Sequence, residues 1–195
     1  MSITVSEITG VLEFVRAAEQ IKNVTRQAWT SEGRHESTAE HSWRLCLLAL
    51  TLESYFPQVD FSRVIRICIV HDLGEAISGD IPATEQPVGQ VKSDQERRDL
   101  LQLLEPLPET IQAQIVGLWD EYDAAQTLEA RFAKALDKLE TIIQHNQGCN
   151  PPDFDYRFNL DYGRQYTGVD PLIARLRQII DQDTAHRLQH RDIPI

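Results

Sequence analysis

Residues 60–80 read DFSRVIRICIVHDLGEAISGD, and the folding of this stretch decides the architecture. Its middle, VIRICIV, is rich in β-branched residues and would suit a buried strand. Two features favour a helix instead. Capped by Asp60 or Ser62, the segment runs for about 12 residues before Gly74, long for a buried strand. The HDLGEA continuation extends the same pattern. The reading is a helix through VIRICIVHDL that ends before Gly74. Upstream, apolar positions Ile8, Val11, Leu12, Val15, Ala18 and Ile21 follow the helical period and predict a helix over 6–21. A polar stretch covers about 22–37. A second helix follows from Thr38 to Phe56, with Ser37 or Thr38 as N-cap and Pro57 closing it. Downstream, 78–92 holds two prolines and two glycines and reads as a loop. Helices are predicted over 93–105, 108–122, 127–147 and 171–190, with an irregular aromatic segment over 148–170. No repeat, low-complexity tract or linker interrupts them. The chain is expected to be one all-α domain over 1–195, a bundle of about seven helices.

Composition narrows the function. The 195 residues carry 42% apolar and 25% charged side chains, ordinary for a soluble globular protein. Nineteen Lys and Arg against thirty Asp and Glu leave a net charge of −11, which disfavours non-specific binding to duplex nucleic acid or anionic lipid. A small anionic substrate needs only a few local cations and stays possible. The longest near-continuous apolar run, Leu45 to Leu52, falls well short of the about 20 residues of a membrane span. The N-terminus MSITVSEITG has no basic segment before an apolar core, so a secretory signal is not expected. Three cysteines, Cys46, Cys68 and Cys149, do not make a disulfide framework, and a reducing cytoplasm is the expected compartment.

The adjacent pair His71-Asp72 ends an apolar stretch, with Glu75 and Asp80 close behind. A carboxylate beside a core segment is costly unless paired or bound to a cation, and imidazole with carboxylate suits a divalent ion of borderline hardness. A helix C-terminus with a solvated Asp72 is the competing reading. His41 begins the stripe that continues through Leu45, Leu48 and Leu52, so it points inward, as a ligand or as a hydrogen-bonded core residue. Its neighbour Glu40 reads as solvated or ion-paired. Asp137 lies off the main stripe of its helix (Leu128, Phe132, Leu136, Leu139, Ile143). It shares a second face with Ala130, Ala133 and Thr141, and spacing alone does not single it out. His145 reads as structural, and His186 with His190 as a solvated helix end. No Walker loop, dinucleotide glycine fingerprint or serine-nucleophile elbow is present.

The order His41, His71-Asp72, Asp137 resembles the metal signature of the HD-domain superfamily. The strings ESTAEHS (36–42), HDLGEAISGDIP (71–82), LWDEYDAAQTLEARFAKALDKLE (118–140) and the segment Arg26–Trp29 resemble its 5′-deoxynucleotidase-like branch, over roughly 8–147. The resemblance implies a compact HD-domain bundle whose metal-site core spans about 8–147, and a homodimer. It also implies one divalent ion (Mn, Co, Zn, Fe, Ni or Mg) held by His41, His71, Asp72 and Asp137, and removal of phosphate from (deoxy)nucleoside 5′-monophosphates. Glu75 and Asp80 would flank the phosphate, with Glu75 the proton handler and Asp80 the second candidate. Arg26 would clamp the phosphate, since a guanidinium fork fits its geometry. Trp29 would stack on the nucleoside or serve packing.

The C-terminal 148–195 lies outside the resemblance, and its aromatic loop would cover either a pocket or a dimer face. His35 has no place in the family pattern. The absence of GYP after the HD pair argues against the cyclic-dinucleotide phosphodiesterase branch, and the lack of further paired histidines argues for one metal. The alternatives are another HD phosphohydrolase, such as a nucleotide pyrophosphohydrolase or phosphodiesterase, and a non-catalytic metal- and nucleotide-binding regulator.

Overall fold

The computed structural model describes residues 3–80 and 91–189. Helix α1 spans Val5–Ala18 and is followed by a hairpin of β1 (Thr25–Trp29) and β2 (His35–Ser37). Then come α2 (Thr38–Leu52), α3 (Phe61–Val70), the single turn α4 (Glu75–Ser78), α5 (Val91–Leu104), α6 (Glu109–Ala124) and α7 (Leu128–Gln147). The five-residue α8 (Arg157–Asp161) and α9 (Pro171–Gln189) end the described chain. The all-α expectation holds, and each of the seven predicted helices has its counterpart. The proposed loop over 78–92 falls mostly outside the described residues, as does His190.

Local signals set the helix starts. Reciprocal capping boxes pair Thr4 with Glu7 at α1 and Ser37 with Glu40 at α2, each satisfying donors that the first turn leaves free. Asp60 caps α3 and Thr127 caps α7 through single side-chain bonds.

Helix α7 runs through the centre, touching α2, α3, α6, α9 and β1. Its Ala130, Ala133 and Ala135 are fully buried, and such small residues let neighbouring backbones come close. Leu45, Val64, Ile67, Phe132, Leu136, Leu139, Ile142 and Ile173 build the main core between α2, α3, α7 and α9. A smaller core of Leu100, Leu104, Leu107 and Trp119 joins α5 to α6, with Val11 and Phe14 of α1 packed on it.

Two expectations need correction. The helix through VIRICIVHDL stops at Val70, and residues 71–74 form a turn before α4. Successive i→i+3 bonds, Leu73 N to Val70 O at 3.2 Å and Glu75 N to Asp72 O at 3.0 Å, tighten the chain there. Gly74 lets α5 approach, since a Cβ on it would stand 2.6 Å from the Glu96 carbonyl oxygen. The polar stretch 22–37 also holds structure of its own. Its hairpin turns through Gly33 at φ +82°, and Thr30 N donates to Arg34 O at 2.8 Å.

Candidate active site

The α3–α4 turn, the first turn of α2 and the middle of α7 converge. His41 is fully buried, and its Nε2 lies 3.2 Å from Asp137 Oδ1 and 3.9 Å from Asp72 Oδ2. His71 Nε2 lies 3.0 Å from Asp72 Oδ2 and 4.0 Å from Asp137 Oδ1. The four residues singled out in the sequence are therefore brought together. His41, His71 and Asp137 each offer a ligand atom, and the three atoms lie within 4.8 Å of one another.

Whether a cation fits can be judged from the imidazoles. Both Nε2 atoms are buried and neither makes a hydrogen bond, while both Nδ1 atoms are engaged. His71 Nδ1 donates to the Cys68 carbonyl at 2.8 Å, and His41 Nδ1 bonds to Glu140 Oε2. Two orphaned nitrogens aimed at carboxylate oxygens are what a cation would satisfy. The donor set of imidazole and carboxylate suits a divalent ion and fits one here.

Charge in the cluster is held by neighbours. Burial pushes Asp137 up, but the Lys138 ammonium and His41 prevail and keep it well below the usual carboxylate range. Lys138 Nζ and Tyr122 Oη reach Asp137 Oδ2 at 2.9 and 2.5 Å, leaving Oδ1 to face the imidazoles. Burial opposes ionisation of Asp72 as well, and His71 beside it again wins. For His41, burial and the Arg26 charge push down, but Glu140 and Asp137 lift it to about 9.

Glu75 behaves oppositely. Burial, with Asp72 and Asp80 nearby, raises it to about 10, so its carboxyl keeps a proton at neutral pH. Thr38 Oγ1 donates to its Oε2 at 2.9 Å and fixes the group.

A cavity of about 810 Å³ opens on the cluster, lined by His71, Asp72, Glu75, Asp80, Asp137, Arg26 and Trp29 among others. His41, fully buried, is not part of its lining. Arg26 reaches Glu36 Oε2 and Thr141 Oγ1, each at 3.0 Å. Trp29 packs against His35, ring centres 4.5 Å apart, and edge-on against Phe154 at 5.9 Å. His35 thereby gains a place: its Nδ1 meets the Arg26 carbonyl at 2.9 Å and its ring props Trp29. The aromatic loop turns to the cavity, with Phe154, Phe158, Tyr162 and Tyr166 in its wall. Of the other histidines, His145 is buried against Asn159 and His186 is exposed. Glu40 is ion-paired to Arg34 at 2.6 Å, as read.

Sequence reasoning missed Glu140, Thr38, Tyr122 and Lys138. One signal for Glu140 was available: it follows Phe132 and Leu136 at steps of four, on a buried row. Glu36, His41 and Glu140 form a second cluster of metal-capable donors. Arg26 lies 3.0 Å from Glu36 and Arg44 lies 2.9 Å from Glu140, so protein cations already occupy that side.

A family model described as HD domain matches residues 18–177. The 5′-deoxynucleotidase HDDC2 of Bos taurus is 33% identical over 140 residues, covering 71% of this chain and 67% of that protein. The 5′-deoxynucleotidase hdd1 of Schizosaccharomyces pombe is 33% identical over 141 residues, 69% of this chain and 70% of its own. A crystal structure of a predicted metal-dependent phosphohydrolase from Magnetospirillum magnetotacticum MS-1 superposes with a TM-score of 0.79 at 27% identity, covering 93% of this chain and 94% of that one. With a family model matching most of its length, the chain belongs to the HD domain family.

Proposed function

We propose that this protein is a metal-dependent phosphomonoesterase that releases phosphate from deoxynucleoside 5′-monophosphates. The observation that carries the reading is the pair of orphaned imidazole nitrogens, facing Asp72 and Asp137 beside a cavity that also presents a protonated Glu75 and a guanidinium. The activity named for the Bos taurus and Schizosaccharomyces pombe relatives supports the substrate class.

His41, His71, Asp72 and Asp137 would hold one divalent ion. When bound, such an ion supplies Lewis-acid polarisation of a phosphoryl oxygen and a more acidic water. The remaining work falls to the chain. Arg26 offers its guanidinium to the phosphate and is held in place by Glu36 and Thr141. Glu75 holds a proton at neutral pH and delivers it to the leaving 5′ oxygen, with Thr38 fixing the carboxyl. Asp80, half-buried in the same wall, is the second group able to move a proton. Trp29 with Phe154 and Phe158 forms an apolar wall for the nucleoside, which also keeps water from that side. The same reading makes 1–195 one working unit, a homodimer in the cytoplasm. The exposed apolar positions Val5, Ile8, Leu12 and Val15 of α1 support a second copy, and three unbridged thiols support a reducing compartment. Light scattering of the purified protein checks the first point.

The deciding experiment incubates metal-stripped protein with Mn²⁺ or Co²⁺ and a panel of deoxy- and ribonucleoside monophosphates, with and without chelator. Metal-dependent orthophosphate release, faster from the deoxy series, is expected. No orthophosphate from any nucleotide overturns the reading. Pyrophosphate from triphosphates in its place assigns the site to a different hydrolase.

A further inference from the structure

Glu140 has no part in the ligand set, yet it is among the most enclosed charged groups in the described residues, 1% exposed in the middle of α7. An ionised carboxylate there is costly to bury, and an apolar side chain of similar size would serve packing as well or better. Its partners point to another task. Its Oε2 bonds to His41 Nδ1, and its Oε1 lies 2.9 Å from Arg44 Nε. Arg26 stands 3.8 Å from Oε2. Glu140 follows Asp137 by three residues, so one helix carries both the carboxylate facing Nε2 of His41 and the carboxylate holding its Nδ1.

We propose that Glu140 is a positioning residue of the metal centre: by accepting the hydrogen bond of His41 Nδ1–H it fixes the tautomer and ring orientation that aim the Nε2 lone pair at the point shared with His71, Asp72 and Asp137. The inference rests on the metal reading proposed above. The two imidazoles use the same device with different acceptors. His71 donates its Nδ1 proton to a backbone carbonyl, whereas His41 donates to a carboxylate. The difference has an electrostatic reason. The Arg26 cation stands 3.8 Å from Glu140 Oε2, and an anion on Nδ1 offsets that charge and makes Nε2 the better donor to a metal. Arg44 Nε, 2.9 Å from Oε1, pairs with the other oxygen of the same carboxylate.

The test uses Zn²⁺ as a diamagnetic probe on the full-length protein. Long-range ¹H–¹⁵N spectra of the Zn²⁺-loaded wild type should show His41 with Nδ1 protonated and Nε2 metal-bound. Glu140→Gln keeps the size and removes the charge. Its Zn²⁺ Kd, measured against a competing chelator, should rise about 10–100-fold, with the melting temperature of the metal-free form changing far less. Zn²⁺ bound through Nδ1 of His41, or an unchanged Kd in Glu140→Gln, overturns the proposal. If the variant does not fold, the wild-type spectrum still tests the proposal, since metal on Nδ1 of His41 overturns it. A wild type that takes up no Zn²⁺ overturns the metal reading itself, and with it this one, and so is distinguishable from a wild type that binds while Glu140 proves irrelevant.

Discussion

Glu75 illustrates how function sets one residue against stability. The carboxyl is 6% exposed and faces Asp72 and Asp80, so the fold resists its ionisation. Its folded value is raised from 4.5 to about 10, and the folded state therefore binds a proton that the unfolded chain releases. Stability associated with that proton is complete below about pH 4.5 and is lost as pH rises towards 10. In metal-free protein, Glu75→Gln should melt higher than wild type. The gap should widen between pH 5 and pH 9, by at most about 1.4 kcal/mol per pH unit. Thermal melts in EDTA across that range measure it, and a gap that stays flat or narrows counts against a protonated Glu75. The same substitution should cost about 10²–10⁴ in kcat, the usual share of general acid catalysis. Metal content by elemental analysis should be unchanged, because Glu75 lies outside the converging set. A variant that loses metal and activity together would make Glu75 a ligand rather than a proton donor.

At the scale of elements, α7 is the ruler of the site and the anchor of the C-terminal segment. Asp137, Glu140, Thr141 and Gln144 reach the imidazoles, Arg26 and the Trp29 carbonyl, while His145 turns to Asn159 of α8 at 2.7 Å. Burial holds His145 at about 4, below its usual 6.5, so it is neutral in the fold. Its contribution is complete above about pH 6.5 and is lost as pH falls towards 4. Urea unfolding at pH 7, 5.5 and 4.5 should show stability falling over this window, and His145→Gln should flatten that limb. An equal slope in both proteins would mean that other groups carry the acid sensitivity. Arg177 of α9 has a matching role. Buried, it donates to the carbonyls of Asn159, Leu160 and Tyr162 around α8 and its exit, that of Leu160 being shared with Arg164 Nε. Arg177→Ala should destabilise by about 3 kcal/mol or more, since it strands buried acceptors. Chemical denaturation checks this, and a change under about 1 kcal/mol would refute the capping role.

These elements also show what a sequence conveys. Long periodic helices such as α2 and α7 are legible because their apolar rows repeat over several turns. The hairpin is not, because strands of five and three residues hold too few alternations to stand out. The break after Val70 escapes notice because it depends on α5 pressing against Gly74, a contact distant in sequence. His41 can be read from its own helix, whereas Asp137 needed the family pattern. Glu140 was lost among the many acids of 118–140, since only the fold places it on an imidazole.

Across the whole molecule, the converging set ties together three parts of the bundle: the start of α2, the turn between α3 and α4, and the middle of α7. In the metal-free state these carboxylates and imidazoles are held by their mutual attraction alone, with no hydrogen bond on either Nε2. A cation binding the folded form alone shifts the folding equilibrium by mass action, about 2.7 kcal/mol at a free concentration of 100 times Kd. For a chain of 195 residues, at about 2–4 °C per kcal/mol, that is a rise in Tm of about 5–11 °C. Scanning calorimetry of EDTA-dialysed protein, before and after Mn²⁺ or Zn²⁺, should record this rise. His41→Ala and Asp137→Ala should melt near the metal-free wild type and gain little from added metal. A cation that merely screens the −11 surface charge would stabilise wild type and variants alike, and Ca²⁺ would do as well as Mn²⁺. The difference between wild type and variant, rather than the shift itself, therefore decides whether these four side chains form a single centre.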